Sequence, residues 1–132
     1  MVTDPISDLL TRLRNASMVS KPSVSIPHSN FKFELAKLFK TEGYVSDVKV
    51  SGEGVEKFID IDMKYSDEGI SVISGMNRLS KPGQRVYSSF DKLPRNNGGL
   101  GTVVVSTSRG LLSDSEARKR KLGGELICEV WS

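Results

Sequence analysis

The stretch that most constrains this chain runs from Thr102 to Glu125 and reads T-V-V-V-S-T-S-R-G-L-L-S-D-S-E-A-R-K-R-K-L-G-G-E. Three valines give Thr102 to Ser108 the β-branched bulk of a strand, and the turn-rich Asn96-Asn97-Gly98-Gly99 lies just before it. Alternation along that strand puts Thr102, Val104, Ser106 and Ser108 on one face and Val103, Val105 and Thr107 on the other. Ser113 with Glu116 three residues on has the capping-box spacing and predicts a helix, with Leu112 and Ala117 as a weak hydrophobic staple. Arg118, Lys119, Arg120 and Lys121 fall in the last turn, where cations suit the helix dipole. Gly123-Gly124 are expected to stop the helix, and Glu125 to open a final strand.

Three successive hydroxyls ending a strand, glycines that admit a second backbone, and nearby cations suit a ligand built of sugars and phosphates. The same residues also fit a strand that caps the next helix beside a solvated basic face.

Read in order, the chain opens with a helix over residues 4–17. Asp4 is a fitting N-cap and Pro5 suits the first helical position, while Ile6, Leu9, Leu10 and Leu13 make the apolar stripe. Thr11, Arg12, Arg14 and Asn15 fall largely off that stripe. Ser23 to Pro27 alternates as a short strand, and Ser29 or Asn30 caps a second helix from Phe31 to about Thr41, ending near Gly43. Val45 to Val50 and Phe58 to Met63 read as a hairpin around Ser51-Gly52-Glu53-Gly54. Asp60 and Asp62 then share a face, and period two makes that an exposed face rather than a metal or acid–base pair. After the polar segment Tyr65 to Gly69 the pattern turns mostly β, with strands expected at Ser71 to Arg78, Arg85 to Phe90 and Leu126 to Trp131. The fold class is therefore α+β. An N-terminal α/β lobe, residues 1–66, holds two helices and a small sheet; a mostly antiparallel β lobe, residues 67–132, holds one helix.

Composition narrows the function. The 132 residues are 37% hydrophobic and 27% charged, as in an ordinary globular protein. No apolar run approaches the roughly 20 residues of a membrane span. No signal peptide is expected from the start of the sequence. One cysteine, Cys128, permits no internal disulfide and fits a reducing, cytoplasmic setting. The net charge of +3 is unevenly spread. Residues 72–109 carry Arg78, Lys81, Arg85, Lys92, Arg95 and Arg109 against Asp91 alone, whereas residues 42–69 carry eight anions against Lys49, Lys57 and Lys64. One side thus suits a polyanion and the other water or a basic partner.

Four stretches carry a resemblance. S-T-S-R-G-L-L-S-D-S-E-A-R followed by G-G-E resembles the signature of the family of the eighth small-subunit ribosomal protein. D-P-I-S-D-L-L-T-R-L-R-N-A at Asp4 to Ala16 is similar to that family's opening, and R-L-S-K-P-G-Q-R-V-Y at Arg78 to Tyr87 and L-P-R-N-N-G-G-L-G-T at Leu93 to Thr102 also match, in order along nearly the whole chain.

The resemblance implies a structural, non-enzymatic protein without cofactors. It would bind the central domain of 16S ribosomal RNA and help organise the platform of the small subunit on the cytoplasmic ribosome. Its implied protein neighbours are the fifth and twelfth small-subunit proteins, with no small-molecule substrate and no membrane. It further implies that Ser106, Thr107, Ser108, Gly124 and Glu125 meet an irregular RNA helix core, and that Lys81, Pro82, Gly83 and Tyr87 form a second RNA-facing motif. Arg85 is expected to join them from the basic stretch, and Thr3, Asp4, Arg14 and Asn15 to touch a second RNA segment. Hydroxyls suit such a target, because A-form RNA is read through its shallow minor groove, its 2′-hydroxyls and its distorted bases. Glu125 is expected either to accept a hydrogen bond from the RNA or to hold the platform in place. The resemblance also implies, in some bacteria, repression of translation of the operon that encodes the protein. Two other classes remain: a protein-interaction module using the acidic hairpin, and a serine-dependent hydrolase. The second lacks a G-x-S-x-G elbow, and His28 is the single histidine.

Overall fold

The structure, a computed structural model, describes residues 4–96 and 100–132, so Asn97, Gly98 and Gly99 of the expected turn lie outside the described residues. The chain divides into two compact units between Ile73 and Ser74. Each has its own antiparallel sheet, and the class is α+β.

In the first unit, helix α1 spans Pro5–Met18. Asp4 caps it: Oδ1 accepts from the backbone N–H of Ile6 at 3.1 Å and of Ser7 at 3.4 Å. Two of the orphan donors at the helix start are thereby satisfied. Its buried stripe is Ile6, Leu9, Leu10, Leu13 and Ala16. Strand β1 (Ser23–Pro27) leads to helix α2 (Asn30–Thr41), capped by the Ser29 hydroxyl accepting from Lys32 N–H at 3.2 Å. Gly43, at φ +85°, takes the left-handed conformation just past the helix. Strands β2 (Val45–Ser51) and β3 (Phe58–Met63) complete a sheet of order β1-β3-β2. Ile59, Ile61 and Met63 are buried, and Asp60 and Asp62 lie on the other face, where Ser25 Oγ donates to Asp60 at 2.8 Å. The connection between β2 and β3 is longer than a tight hairpin turn. It holds a 3₁₀ turn at Gly54–Glu56, with Gly52 and Gly54 both at positive φ. An ion pair joins the helices: Lys32, only 7% exposed, donates to Asp8 at 3.2 Å, and Arg12 donates to the same carboxylate at 2.9 Å.

The second unit holds β4 (Gly75–Arg78), β5 (Tyr87–Ser88), β6 (Thr102–Thr107), β7 (Gly110–Ser113) and β8 (Gly124–Trp131). β8 is the axis. β6 pairs along one edge, while β4 and then β5 pair along the other. Helix α3 (Asp114–Arg120) begins with Ser113 Oγ accepting from Glu116 N–H at 3.2 Å, at the spacing the sequence predicted. Ala117 packs with Leu93, Val103, Val105 and Leu126, flanked by Leu79, Val86 and Leu112. Asp114 is buried, accepting from Val103 N–H at 3.1 Å and from Arg118 at 2.6 Å. A buried carboxylate is tolerable only when it is bonded in this way. Cys128 is fully buried, and burial first, then the Glu129 charge, pushes its thiol up to about 12.

Four expectations need correction. Strand Ser71 to Arg78 is only Gly75–Arg78, with Ser71 in a lone bridge to Tyr65. Strand Arg85 to Phe90 is only Tyr87–Ser88, followed by a 3₁₀ turn at Phe90–Lys92. The sequence reading missed β7, because a hairpin strand of four residues is too short to show alternation before its cap. Finally, the glycine pair does not stop α3. Lys121 does so, in the left-handed conformation at φ +56°. Gly123 and Gly124 instead let backbones pass close. A Cβ on Gly123 would meet Ser88 and Ser89, and one on Gly124 the carbonyl oxygen of Ser106.

Candidate nucleic-acid interface

Register brings the hydroxyl run and the second glycine together. Ser106 of β6 lies directly opposite Glu125 of β8, and Glu125 lies opposite Tyr87 of β5. Residues directly opposite in antiparallel strands project from the same face. Val105 and Leu126, one position along, point into the core under α3, so the row Ser106–Glu125–Tyr87 lies on the face turned away from that helix. Gly124 sits opposite Ser88 beside the row, its missing side chain allowing β8 to close on β6.

The three hydroxyls have different fates. Thr107 is used by the β6–β7 turn: its Oγ1 accepts from Arg109 N–H at 3.1 Å and donates to the Gly110 carbonyl at 2.9 Å. This is why the strand ends in hydroxyls, since the second one ties the turn. Ser108 is exposed at that turn, and Ser106 is half-buried at its base. Neither serine hydroxyl has a hydrogen-bond partner among the described residues. Tyr87 is 68% exposed, an aromatic ring left in solvent at the other end of the row.

The second motif is a loop on the same edge of β8. It leaves where Leu79 N–H donates to Ile127 O at 3.0 Å and returns where Val86 O accepts from Leu126 N–H at 2.8 Å. Lys81 and Gln84 exchange two backbone hydrogen bonds, both 2.9 Å, leaving Pro82 and Gly83 exposed at the tip with Lys81. Ser80, fully buried, ties the base: its Oγ accepts from Val86 N–H at 2.9 Å and donates to Val86 O at 3.2 Å. Arg78 Nε donates to the Ser80 carbonyl. Arg85, at the loop's return, donates from one guanidinium nitrogen to Glu125 Oε2 at 3.1 Å, so the loop and the row meet at that ion pair. Burial first, and then the Arg85 charge, hold the Arg78 guanidinium below its usual range, against the opposing pull of Cys128 and Glu125. Sequence reasoning counted Arg78 only as part of the basic stretch and gave Ser80 no role. Ser80 carried no signal beyond its place in the resembling stretch.

The third group belongs to the other unit. Thr3 lies outside the described residues. Asp4 is committed to capping α1, and Arg14 and Asn15 are exposed on that helix, off its buried stripe. Asn15 opens onto a cleft of about 360 Å³ that Arg12, Val19, Lys21, Ser23 and Ser25 also line. Arg12, read from sequence as a solvated residue, is 44% exposed and bonded to Asp8. Among the described residues, no group of three histidines, cysteines or carboxylates is placed to hold a metal ion, and no helix is long and apolar enough to cross a membrane.

A family model described as Ribosomal protein S8 matches residues 4–131. The chain belongs to the ribosomal protein S8 family. Its relatives include the "Small ribosomal subunit protein uS8" of Halothermothrix orenii, 50% identical over 130 residues and 98% of each chain. The protein of that name from Lactobacillus delbrueckii subsp. bulgaricus is 50% identical over 131 residues, 99% of each chain. That of Sorangium cellulosum is 48% identical over 132 residues, covering 99% of this chain and all of the relative. For a member of the ribosomal protein S8 family, exposed basic and hydroxyl groups around a sheet edge are chemistry suited to RNA.

Proposed function

We propose that the protein binds the central domain of 16S ribosomal RNA through its C-terminal lobe, residues 67–132, and helps organise the platform of the small subunit. As a member of its family it is a structural constituent of the small ribosomal subunit, an RNA-binding protein of translation and not an enzyme, and it works on the cytoplasmic ribosome. The observation that carries the reading is the row Ser106–Glu125–Tyr87, with two serine hydroxyls unengaged among the described residues, an exposed aromatic ring and the basic loop of Lys81 and Arg85 beside it. Hydroxyls can donate to a phosphate or base and accept from a 2′-hydroxyl, and a tyrosine face can stack on a splayed base. Ser106, Thr107, Ser108, Gly124, Glu125, Lys81, Pro82, Gly83, Arg85 and Tyr87 form this surface, with Thr107 and Gly124 shaping it.

Thr3, Asp4, Arg14 and Asn15 meet a second RNA segment, with Asp4 acting by holding α1 in place. The excess of anions in residues 42–69 suits basic protein neighbours, for which the fifth and twelfth small-subunit proteins are the candidates.

Chemical probing of 16S RNA with and without the purified protein tests the reading. Protection confined to the central domain is expected, and loss of that protection when Ser106 and Ser108 are both changed to Ala. Protection elsewhere, or none, overturns it.

A further inference from the structure

A carboxylate on a surface meant for RNA is a puzzle, because phosphates repel it. Glu125 occupies the centre of the row, between Ser106 and Tyr87, fixed by backbone pairing on both edges of β8. Its side chain is 16% exposed, whereas that of Arg85, to which it is bonded, is 51% exposed. The carboxylate is therefore sunk in the sheet and the guanidinium stands in solvent. Glu125 is the hydrogen-bond partner of Arg85 among the described residues, and a guanidinium has five N–H donors, so most of its fork remains available.

Arg78 supplies a second observation. Its side chain is anchored on the Ser80 carbonyl, and it lies close enough to Arg85 and Glu125 to feel the charge of both. The Arg85 guanidinium is bonded to the Glu125 carboxylate, and Arg78 lies within range of both charges. Like charges held together by the fold repel until an anion joins them. An RNA phosphate has the charge and the planar acceptor pairs that a guanidinium fork recognises.

We propose that Glu125 is a positioning residue that acts on RNA through Arg85: its carboxylate aims the Arg85 guanidinium, which together with Arg78 seats one backbone phosphate. The inference rests on the RNA-binding reading above and deepens it, for it gives Glu125 no contact with RNA. Aiming the guanidinium before binding removes part of the cost of ordering a rotamer-rich side chain. It also turns the carboxylate from a source of repulsion into part of the seat.

A double-mutant cycle tests this. The probe is a transcript of the 16S central domain, titrated over a range of potassium chloride with the wild-type protein, Glu125→Ala, Glu125→Gln, Arg85→Ala and the double alanine variant. Circular dichroism checks that each is folded. Glu125→Ala is expected to weaken binding about threefold to tenfold and to reduce the salt slope by about one, although it removes a negative charge. Glu125→Gln keeps an acceptor without the charge and should fall between wild type and Ala, which keeps the test open if the alanine variant does not fold. In the Arg85→Ala background, loss of Glu125 should weaken nothing. Equal weakening in both backgrounds would mean that Glu125 meets RNA itself and would overturn the inference. So would an unchanged slope, or tighter binding by Glu125→Ala in the wild-type background. If the wild-type protein does not prefer the central-domain transcript over an unrelated duplex, the RNA-binding reading itself fails, an outcome the cycle separates from the others.

Discussion

Gly124 lies so close to Ser106 that a methyl group on it would overlap the Ser106 carbonyl oxygen. Ser106 of the interface row and the glycine beside that row are thus brought together by an absent side chain. Glycine is present at this position for close approach rather than for an unusual φ, since Gly124 is not among the positive-φ residues.

Gly124→Ala should therefore force β8 away from β6 at the row. Overpacking of this kind costs about 1–3 kcal/mol. The expected result is a lower melting temperature together with weaker RNA binding, since Ser106 and Glu125 shift with their strands. Gly83→Ala is the control: nothing lies near its Cβ position, so its melting temperature should match wild type. If both variants melt with the wild type, the close approach does not govern the sheet.

Ser80→Ala should loosen the basic loop. The Ser80 hydroxyl is buried and bonds both the N–H and the carbonyl of Val86. Removing it leaves the Val86 N–H unsatisfied, a cost of about 1–3 kcal/mol. Hydrogen exchange at the Val86 amide should speed up well beyond that at Val103, which is held by Asp114 elsewhere in the sheet. Equal change at both amides would mean global destabilisation rather than a latch.

Asp8 gives a pH dependence. A hydrogen bond from Arg12, and then one from Lys32, hold its carboxyl below the usual carboxylate range despite some burial. The folded state therefore binds fewer protons than the unfolded one. That stabilisation is fully present above the unfolded value of about 3.9 and is lost as pH falls through the lower folded value. Asp8→Asn should be less stable than wild type at neutral pH by about 1 kcal/mol, since buried Lys32 loses its charged partner. The gap should narrow in acid, as the wild-type carboxyl begins to take up its proton. Denaturant midpoints at pH 7 and pH 3 check it, and a gap that widens in acid would refute the assignment.

These relationships were unequally visible in the sequence. Caps were legible, because Asp4, Ser29 and Ser113 act on N–H groups two or three residues away and spacing alone reveals them. The alternation of Ile59, Asp60, Ile61 and Asp62 likewise predicted which face of β3 is buried. The site was legible as a set of residues but not as an arrangement. That Ser106 faces Glu125, and Glu125 faces Tyr87, depends on long-range register. A bulge between Val104 and Val105 sets part of that register, and no local pattern marks it. Gly123-Gly124 was misread because a glycine pair after a helix is the usual stop signal, whereas in this chain a lysine has already taken the left-handed turn.

The last prediction separates charge from hydroxyls. Lys81 is exposed at the loop tip, and Ser106 and Ser108 present hydroxyls without partners among the described residues. A lysine facing phosphate adds affinity without regard to sequence and releases a counterion, so Lys81→Ala should weaken cognate and unrelated RNA alike and lower the salt slope by about one. Ser106→Ala and Ser108→Ala change no formal charge. Each should leave the slope unchanged yet reduce the preference for cognate over mismatched RNA, by about 0.5–1.5 kcal/mol for one neutral hydrogen bond. Thr107→Ala differs from both, because its hydroxyl ties the β6–β7 turn and its loss should lower stability as well as preference. Titrations of the four variants against both RNAs at several salt concentrations decide the matter. A serine variant that keeps full discrimination while folded, or a Lys81→Ala variant that loses discrimination at an unchanged slope, would reverse the roles of the row and the loop.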